Sequence, residues 1–279
     1  MQTQKLCRPL FIVLLTSCLC SSAQCDGLFP DKNLEAVVRK NVFEKRNNKE
    51  PLTEKDVENI STITGKGKGI KDLTGLEKCY SLAALDLEGN EITDLSPLKE
   101  LDNIQTINLS KNKISDISPL EKLVRLQYLE LSENQVTDVS PLAKMENMRS
   151  LYLSGHQITK IDAIANLTKI WSLYLDENKV EDLSPVSKLK WLSTLGLRKS
   201  DVSELKFLEG LTELKLLMVD GNKIEDLSVL VAMAKKDAAG DQRFAPFWRI
   251  YLKGNPLSDD AKSAQIDELK KLGARITVE

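Results

Sequence analysis

Three acidic residues of this sequence are candidates for catalysis, because their carboxylate groups could act as a general acid and a general base or nucleophile. Asp86, Glu88 and Glu130 occupy related positions of a repeating pattern and are expected near one another. Two carboxylates at a suitable separation can hydrolyse glycosidic bonds. The surface predicted for them is an open sheet, however, which gives little of the desolvation that raises the pKa of a catalytic carboxyl group. We therefore predict that the protein has no catalytic residues and is not an enzyme.

Histidines and cysteines are too few, or wrongly placed, for several other kinds of site. The chain has 279 residues, with a single histidine and five cysteines, four of which lie between Cys7 and Cys25. These numbers argue against a Ser-His-Asp triad, a disulfide framework and a zinc site. Cys79 is expected to pack in the interior as a small apolar side chain. We predict no metal and no cofactor.

The charge balance argues against nucleic acid as a partner. Lys plus Arg is 39 and Asp plus Glu is 41, which gives a net charge of -2. The sequence has no basic block of the kind that neutralises phosphates.

The elements that must position any site come from a 22-residue repeat. Copies start at positions 82, 104, 126, 148, 170, 192 and 214, with the template L-x-x-L-x-L-x-x-N-x-I-x-D-L-S-P-L-x-x-L. A fixed period of this length is the signature of a solenoid. Apolar residues at positions 4 and 6 flank one variable residue, as in a short strand with one buried face. Stacked copies therefore predict a parallel sheet.

An asparagine at position 9 follows each predicted strand. Its amide carries both a donor and an acceptor, so it can bond buried backbone groups of adjacent turns. His156 and Ser200 replace it in two repeats, where we expect a weaker ladder. The predicted ladder consists of Asn90, Asn112, Asn134, Asn178, Asn222 and Asn255.

A Ser-Pro pair opens the second half of most repeats. Serine as a cap and proline at the first helical position favour a short helical turn, which we place on the convex side. In the last repeat, the interval from Asn222 to Asn255 exceeds the period by 11. The extra residues are expected to form an inserted loop within 231–246, which is either a partner contact or a tolerated surface loop. Phe247, Ile250, Leu252, Asn255 and Leu257 are then expected to complete the repeat.

The remaining segments divide the chain into domains. Residues 1–25 read as a signal peptide, with Lys5 and Arg8 before a short apolar run. Cleavage could occur at a lipobox, just before the lipidation candidate Cys18, or after the small residues that end at Ala23. Residues 26–59 are predicted as a helical N-terminal cap with caps at Asp31 and Thr53. Residues 60–257 hold about nine repeats, and residues 258–279 a C-terminal cap.

The repeat resembles that of the internalin-like class of bacterial leucine-rich repeat proteins. The likeness rests on the Asp-Leu-Ser-Pro-Leu segment and on a cap beginning Phe-Pro-Asp-Lys-Asn-Leu at Phe29, and it spans about residues 29–279. It implies an α/β solenoid: a leucine-rich repeat horseshoe with a parallel concave β-sheet, short helical turns on the convex side and helical caps at both ends. We see no match to the internalins' Ig-like domain or wall-anchoring signal, so a role in host-cell invasion is not expected to carry over.

Solvent-facing strand positions hold the candidate binding residues. Tyrosines recur on three neighbouring strands, where no packing rule of the fold requires them, and aromatic rings on a rigid surface are typical binding anchors. The alternative is cross-strand pairing that only stabilises the sheet. The predicted concave binding face consists of Tyr128, Glu130, Tyr152, Trp171, Tyr174, Asp176 and Arg198.

These patterns predict a non-catalytic binding module at the cell envelope or outside the cell. A protein is the expected partner and the protein is expected to be a monomer. A polysaccharide is the alternative ligand, because tyrosines can also stack on sugars. An intracellular phosphatase-regulating class shares the period of the repeat, but the signal segment argues against that role. Membrane association is expected only if a lipid is attached at the N-terminus, at Cys18.

Overall fold

The computed structural model describes residues 27–279 of the chain. The predicted signal segment, both of its cleavage points and the lipidation candidate Cys18 lie outside the described residues. No helix within residues 27–279 is long and apolar enough to cross a membrane.

Within this part of the chain, ten parallel strands form one sheet, and their order in space is their order in the chain. Consecutive strands pair in register at equivalent positions, so that Leu85 lies beside Ile107 and Ile107 beside Leu129. The predicted leucine-rich repeat solenoid is therefore confirmed, with one strand in each repeat. The strands are β1 Thr62–Thr64, β2 Ala84–Asp86, β3 Thr106–Asn108, β4 Tyr128–Glu130, β5 Ser150–Tyr152, β6 Ser172–Tyr174, β7 Thr194–Gly196, β8 Leu216–Met218, β9 Arg249–Tyr251 and β10 Arg275–Thr277.

The core is a continuous stack of aliphatic side chains. The central residue of each strand from β1 to β9 is buried. Most of the first and third residues of these strands are at least partly exposed on the concave face. Parallel strands lie about 4.8 Å apart, so nine gaps give a concave sheet about 43 Å long. The strand positions that face solvent thus form a grid, in which equivalent positions of consecutive repeats are lateral neighbours.

Short 3-10 turns lie between consecutive strands from β1 to β9, and proline occupies the first turn where the sequence has Ser-Pro, as at Ser96–Leu98 and Ser118–Leu120. The predicted capping role of serine is wrong. The Ser96 hydroxyl and backbone N–H both donate to the Asp94 carboxylate, at 2.6 and 2.8 Å, and no side chain caps the turn. A carboxylate accepts both bonds more strongly than a hydroxyl could, so the aspartate of the repeat is the residue that fixes this corner.

Two helices cover the first repeat. Helix α1, Lys32–Arg39, begins after Asp31, whose carboxylate accepts from the backbone N–H groups of Asn33 and Leu34. Helix α2, Glu54–Val57, follows Thr53, whose N–H donates to Asp56 at 2.7 Å.

The inserted segment, predicted as a loop within 231–246, is helical as far as Ala238 and irregular from there to residue 244. Helix α3, Ser228–Ala238, is followed by a turn and a 3-10 segment, Ala245–Phe247. The buried carboxylate of Asp237 accepts from the backbone N–H groups of residues 243–245 and ties the two pieces together. Phe247, which was expected to complete the repeat, is 63% exposed, and Trp248 is instead fully buried against Phe244, with ring centroids 5.0 Å apart.

The C-terminal end is closed by a helical segment and a last strand. A π-helical turn, Ala261–Gln265, continues into helix α4, Ile266–Lys271. Gly273 adopts a φ of 98° and ends the helix, after which β10 pairs with β9. The cap covers the apolar end of the ninth repeat.

Candidate functional site

Three aromatic rings stand side by side at the middle of the concave face. Tyr128, Tyr152 and Tyr174 lie on β4, β5 and β6, and we call them the tyrosine row. The centroids of Tyr152 and Tyr174 are 4.7 Å apart with planes 12° apart, and those of Tyr128 and Tyr152 are 5.3 Å apart with planes 44° apart. Burial raises the pKa of all three phenols, that of Tyr128 to about 12, so the row is uncharged. The rings form one rigid, partly desolvated surface.

Gly196 determines how the row ends, and sequence reasoning did not identify it. It pairs laterally with Tyr174, and a Cβ atom placed on it would lie 2.8 Å from Cδ1 of that ring and 3.0 Å from the Asp176 carboxylate. Such a contact is too short for a real side chain, so only glycine lets the Tyr174 ring lie over β7. Met218, the lateral neighbour of Gly196 on the next strand, is buried.

Glu130 lies between two tyrosines of the row. It is the lateral neighbour of Tyr152 and shares the concave face of β4 with Tyr128. Its carboxylate accepts from the Ser132 N–H at 2.8 Å. Burial raises the pKa of this carboxyl group, with a further contribution from the negative charge of Glu88.

Asp176 and Arg198 form a second charged group at the other end of the row. The Arg198 N–H donates to Asp176 at 2.6 Å, and the Arg198 guanidinium lies 3.7 Å from Asp176 and 3.1 Å from Asp220. Burial nevertheless raises the pKa of Asp176. Arg198, a predicted binding residue, is therefore already paired with carboxylates of the same chain.

The carboxylates that suggested glycosidase chemistry are not all together. Asp86 and Glu88 share Lys66, whose Nζ lies 3.0 and 3.1 Å from them. The hydrogen bond from Lys66 lowers the pKa of Glu88, which opposes the protonated form that a general acid needs. Glu130 lies two strands away, on β4.

Trp171 lies apart from the tyrosine row. It precedes β6 at the edge where the strands begin, and its ring is exposed beneath the Arg149 guanidinium, 5.7 Å from the ring centroid. Among residues 27–279, its ring makes no aromatic pair with a tyrosine. Trp171 was predicted as part of the binding face because position 2 of the repeat is adjacent to the strand.

The asparagine residues lie beneath the site and fix its strands. In each regular repeat the amide oxygen accepts a backbone N–H from the preceding turn and the amide nitrogen donates to two carbonyls, as Asn112 does with Ile92, Leu87 and Leu109 at 2.9–3.1 Å. The same arrangement holds at Asn90, Asn134, Asn178, Asn222 and Asn255.

Two substitutions interrupt this ladder. His156 accepts from the Val136 N–H at 3.1 Å, and its Nε2 lies 3.0 Å from the Leu131 carbonyl. Burial lowers the pKa of His156, which is therefore a neutral structural residue. The single hydroxyl hydrogen of Ser200 has two carbonyls within reach, and no backbone N–H of the described residues donates to that hydroxyl. The ladder is thus reduced at both positions and weakest at Ser200.

Comparison with known proteins places the chain among leucine-rich repeat proteins. The family model "Leucine Rich repeats (2 copies)" matches residues 102–144 and 124–166. No curated protein matches the chain. Internalin C2 of Listeria monocytogenes is 30% identical, with a TM-score of 0.65, over 90% of this chain and 95% of that protein.

Two more distant structures share the fold alone. The functional domain of InlJ from Listeria monocytogenes is 22% identical, with a TM-score of 0.63, over 83% of this chain and 52% of that one. A leucine-rich repeat protein of Leptospira interrogans is 22% identical, with a TM-score of 0.63, over 74% and 57%.

Proposed function

This chain belongs to the internalin-like family of leucine-rich repeat proteins, and from that membership we propose that it is a non-catalytic binding protein that holds a protein partner on its concave face. The leucine-rich repeat fold is a scaffold for protein interaction. The position of the binding face is our own inference, and the tyrosine row is the observation that carries it.

The row has the features of a binding anchor. Its three rings are fixed against each other at 4.7 and 5.3 Å, so little side-chain entropy remains to be lost when a partner packs on them. Tyrosine combines a large apolar area with a hydroxyl group that can bond to a partner, and it is enriched at interface hot spots. Cross-strand pairing contributes stability as well, but it does not account for a glycine that makes room for the last ring.

Half-buried charges beside the rings support the same proposal. Burial raises the pKa of both Glu130 and Asp176, so the fold keeps these carboxylates at a cost in desolvation. A surface selected only for stability would place neutral side chains there.

A polysaccharide remains a prediction that no specific observation favours. Sugars stack on open ring faces, whereas Tyr152 has a neighbouring ring on each side. We propose further that the protein is exported and acts as a monomer at the envelope or outside the cell. This placement rests on the sequence pattern of residues 1–25.

A capture experiment tests the proposed face. The full chain, Tyr152→Ala, Tyr174→Ala and the control Tyr80→Ala are immobilised and exposed to native extracellular and envelope extracts. Tyr80 is an exposed tyrosine that precedes β2 and lies outside the row, so the control makes the same chemical change elsewhere. All four proteins are first compared for thermal stability.

We expect a protein that the wild type and Tyr80→Ala retain and that both row variants lose. Truncating a hot-spot tyrosine costs about 2 kcal/mol or more, which corresponds to a loss of affinity of about 30-fold. Equal retention by all four proteins would place the binding site elsewhere, and retention of a glycan alone would favour the polysaccharide alternative.

A further inference from the structure

The concave face contains five acidic side chains near the tyrosine row, and four of them have a cationic partner within the chain. Lys66 forms ion pairs with Asp86 and Glu88, and Arg198 forms ion pairs with Asp176 and Asp220. Glu130 is the exception: among residues 27–279, no lysine or arginine nitrogen lies within 4.0 Å of its carboxylate.

Two of the charges that act on Glu130 are also negative. Burial raises the pKa of its carboxyl group, and Glu88 and Glu133 raise it further. Its hydrogen bonds come from Ser132, whose backbone N–H donates at 2.8 Å. A carboxylate that is half-buried, next to other acids and without a counter-ion attracts a cation, because nearly all of its interaction with a positive charge is still available.

The far end of the row shows the arrangement that such a cation would complete. There Tyr174, Asp176 and the guanidinium of Arg198 lie together, and the positive charge of Arg198 acts directly on the phenol of Tyr174. At the near end, Tyr128, Tyr152 and Glu130 provide a similar aromatic surface and a half-buried carboxylate. The charge of Lys66 acts on the Tyr128 phenol, but no lysine or arginine of residues 27–279 forms an ion pair with Glu130.

We propose that Glu130, with Tyr128 and Tyr152, is a subsite for an arginine or lysine side chain of the partner. The charged group forms a charge-assisted hydrogen bond with the Glu130 carboxylate, and the aliphatic stem packs on the two phenol rings. This subsite rests on the proposed concave binding face and adds the chemical identity of one contact. A partner that fits this subsite has a basic residue where its surface contacts β4 and β5.

Small blocked amino acids test the subsite without knowledge of the partner. N-acetyl-arginine amide and N-acetyl-lysine amide are titrated into the purified full chain, with N-acetyl-norleucine amide as the uncharged probe. Binding is followed by the ring ¹H–¹³C shifts of Tyr128, Tyr152 and Tyr174, assigned through single Tyr→Phe variants. The variants compared are Glu130→Gln and the control Glu133→Gln, which removes the same charge from an exposed turn of the same repeat.

We expect saturable shifts at Tyr128 and Tyr152 with both cationic probes and none with norleucine. Glu130→Gln should weaken binding at least about tenfold, which corresponds to the loss of one charge-assisted bond, whereas Glu133→Gln should stay within about twofold. Equal binding by Glu130→Gln, or no saturable shift in the wild type, would overturn the subsite. A captured protein that the row variants lose but Glu130→Gln retains would leave the binding face standing and refute this subsite alone.

Discussion

Replacing Asn112 by alanine should destabilise the solenoid more than any surface change of similar size. Its amide oxygen accepts from the Ile92 N–H at 3.0 Å, and its amide nitrogen donates to the Leu87 and Leu109 carbonyls at 3.1 and 2.9 Å. Alanine leaves the Ile92 N–H buried without a partner, whereas the two carbonyls each keep one bond, from Asn90 and Asn134. The unpaired N–H costs about 1–3 kcal/mol and each lost bond to a carbonyl about 0.5 kcal/mol or more, so the free energy of unfolding should fall by about 2–4 kcal/mol.

The assay is urea unfolding followed by circular dichroism, with the free energy obtained by linear extrapolation. Asn103→Ala is the matched control, because that asparagine is exposed and donates to the Tyr80 carbonyl at 2.9 Å on the surface. It should change the free energy by about 0.5 kcal/mol or less. Asn112→Ser should fall between the two, because Ser200 shows that a hydroxyl makes part of the network. A loss below about 1 kcal/mol for Asn112→Ala would refute the view that the ladder holds adjacent turns together.

Three other changes follow from local geometry, and a fourth prediction concerns a thiol. Gly196→Ala should move the Tyr174 ring and cost about 1–3 kcal/mol, visible as a lower melting temperature and as altered shifts of that ring. Glu130→Gln should raise the melting temperature at pH 7, because the folded state raises the pKa of this carboxyl group and so disfavours its charged form. The gain in melting temperature should vanish below about pH 4, where the wild-type carboxyl group is protonated in both the folded and the unfolded state. Asp56→Ala should lower the free energy of unfolding by about 1–2 kcal/mol at pH 7. Because the pKa of Asp56 is about 2 in the native state and 3.8 ordinarily, melting curves should show that difference shrinking as pH falls from about 4 to 2. The buried Cys79 thiol, with a pKa of about 12, should resist alkylation at pH 8 until the protein unfolds, as measured by peptide mapping.

The opposite signs expected for two of these variants separate function from stability. Asn112→Ala removes satisfied bonds of a buried amide, whereas Glu130→Gln removes a charge that the fold desolvates without a counter-ion. A binding site for a charged partner requires a charged residue on the binding face, even where that residue lowers stability at neutral pH. Equal melting temperatures of wild type and Glu130→Gln at pH 7 would contradict this account.

The amino-acid sequence by itself determined the period, the strands and the faces they present. Each repeat of a solenoid contacts its neighbours alone, so a local pattern fixes the strand at Leu85 as it does at Ile107. The aromatic residues of the row and the asparagines beneath it could be identified for the same reason. In the regular part of the fold, the repeat pattern specifies which strands pair.

Only the tertiary structure decided the features that depend on side-chain contacts between turns. In the stretched repeat, Trp248 fills the core in place of Phe247, because α3 and the segment after it change the path of the chain. On the concave face, Arg198 pairs with Asp176 and no cation of residues 27–279 reaches Glu130, a difference that residue types do not reveal. The reason is physical: the backbone register is set by the repeat, but which charges meet depends on side-chain conformations and on neighbours in the adjacent repeats.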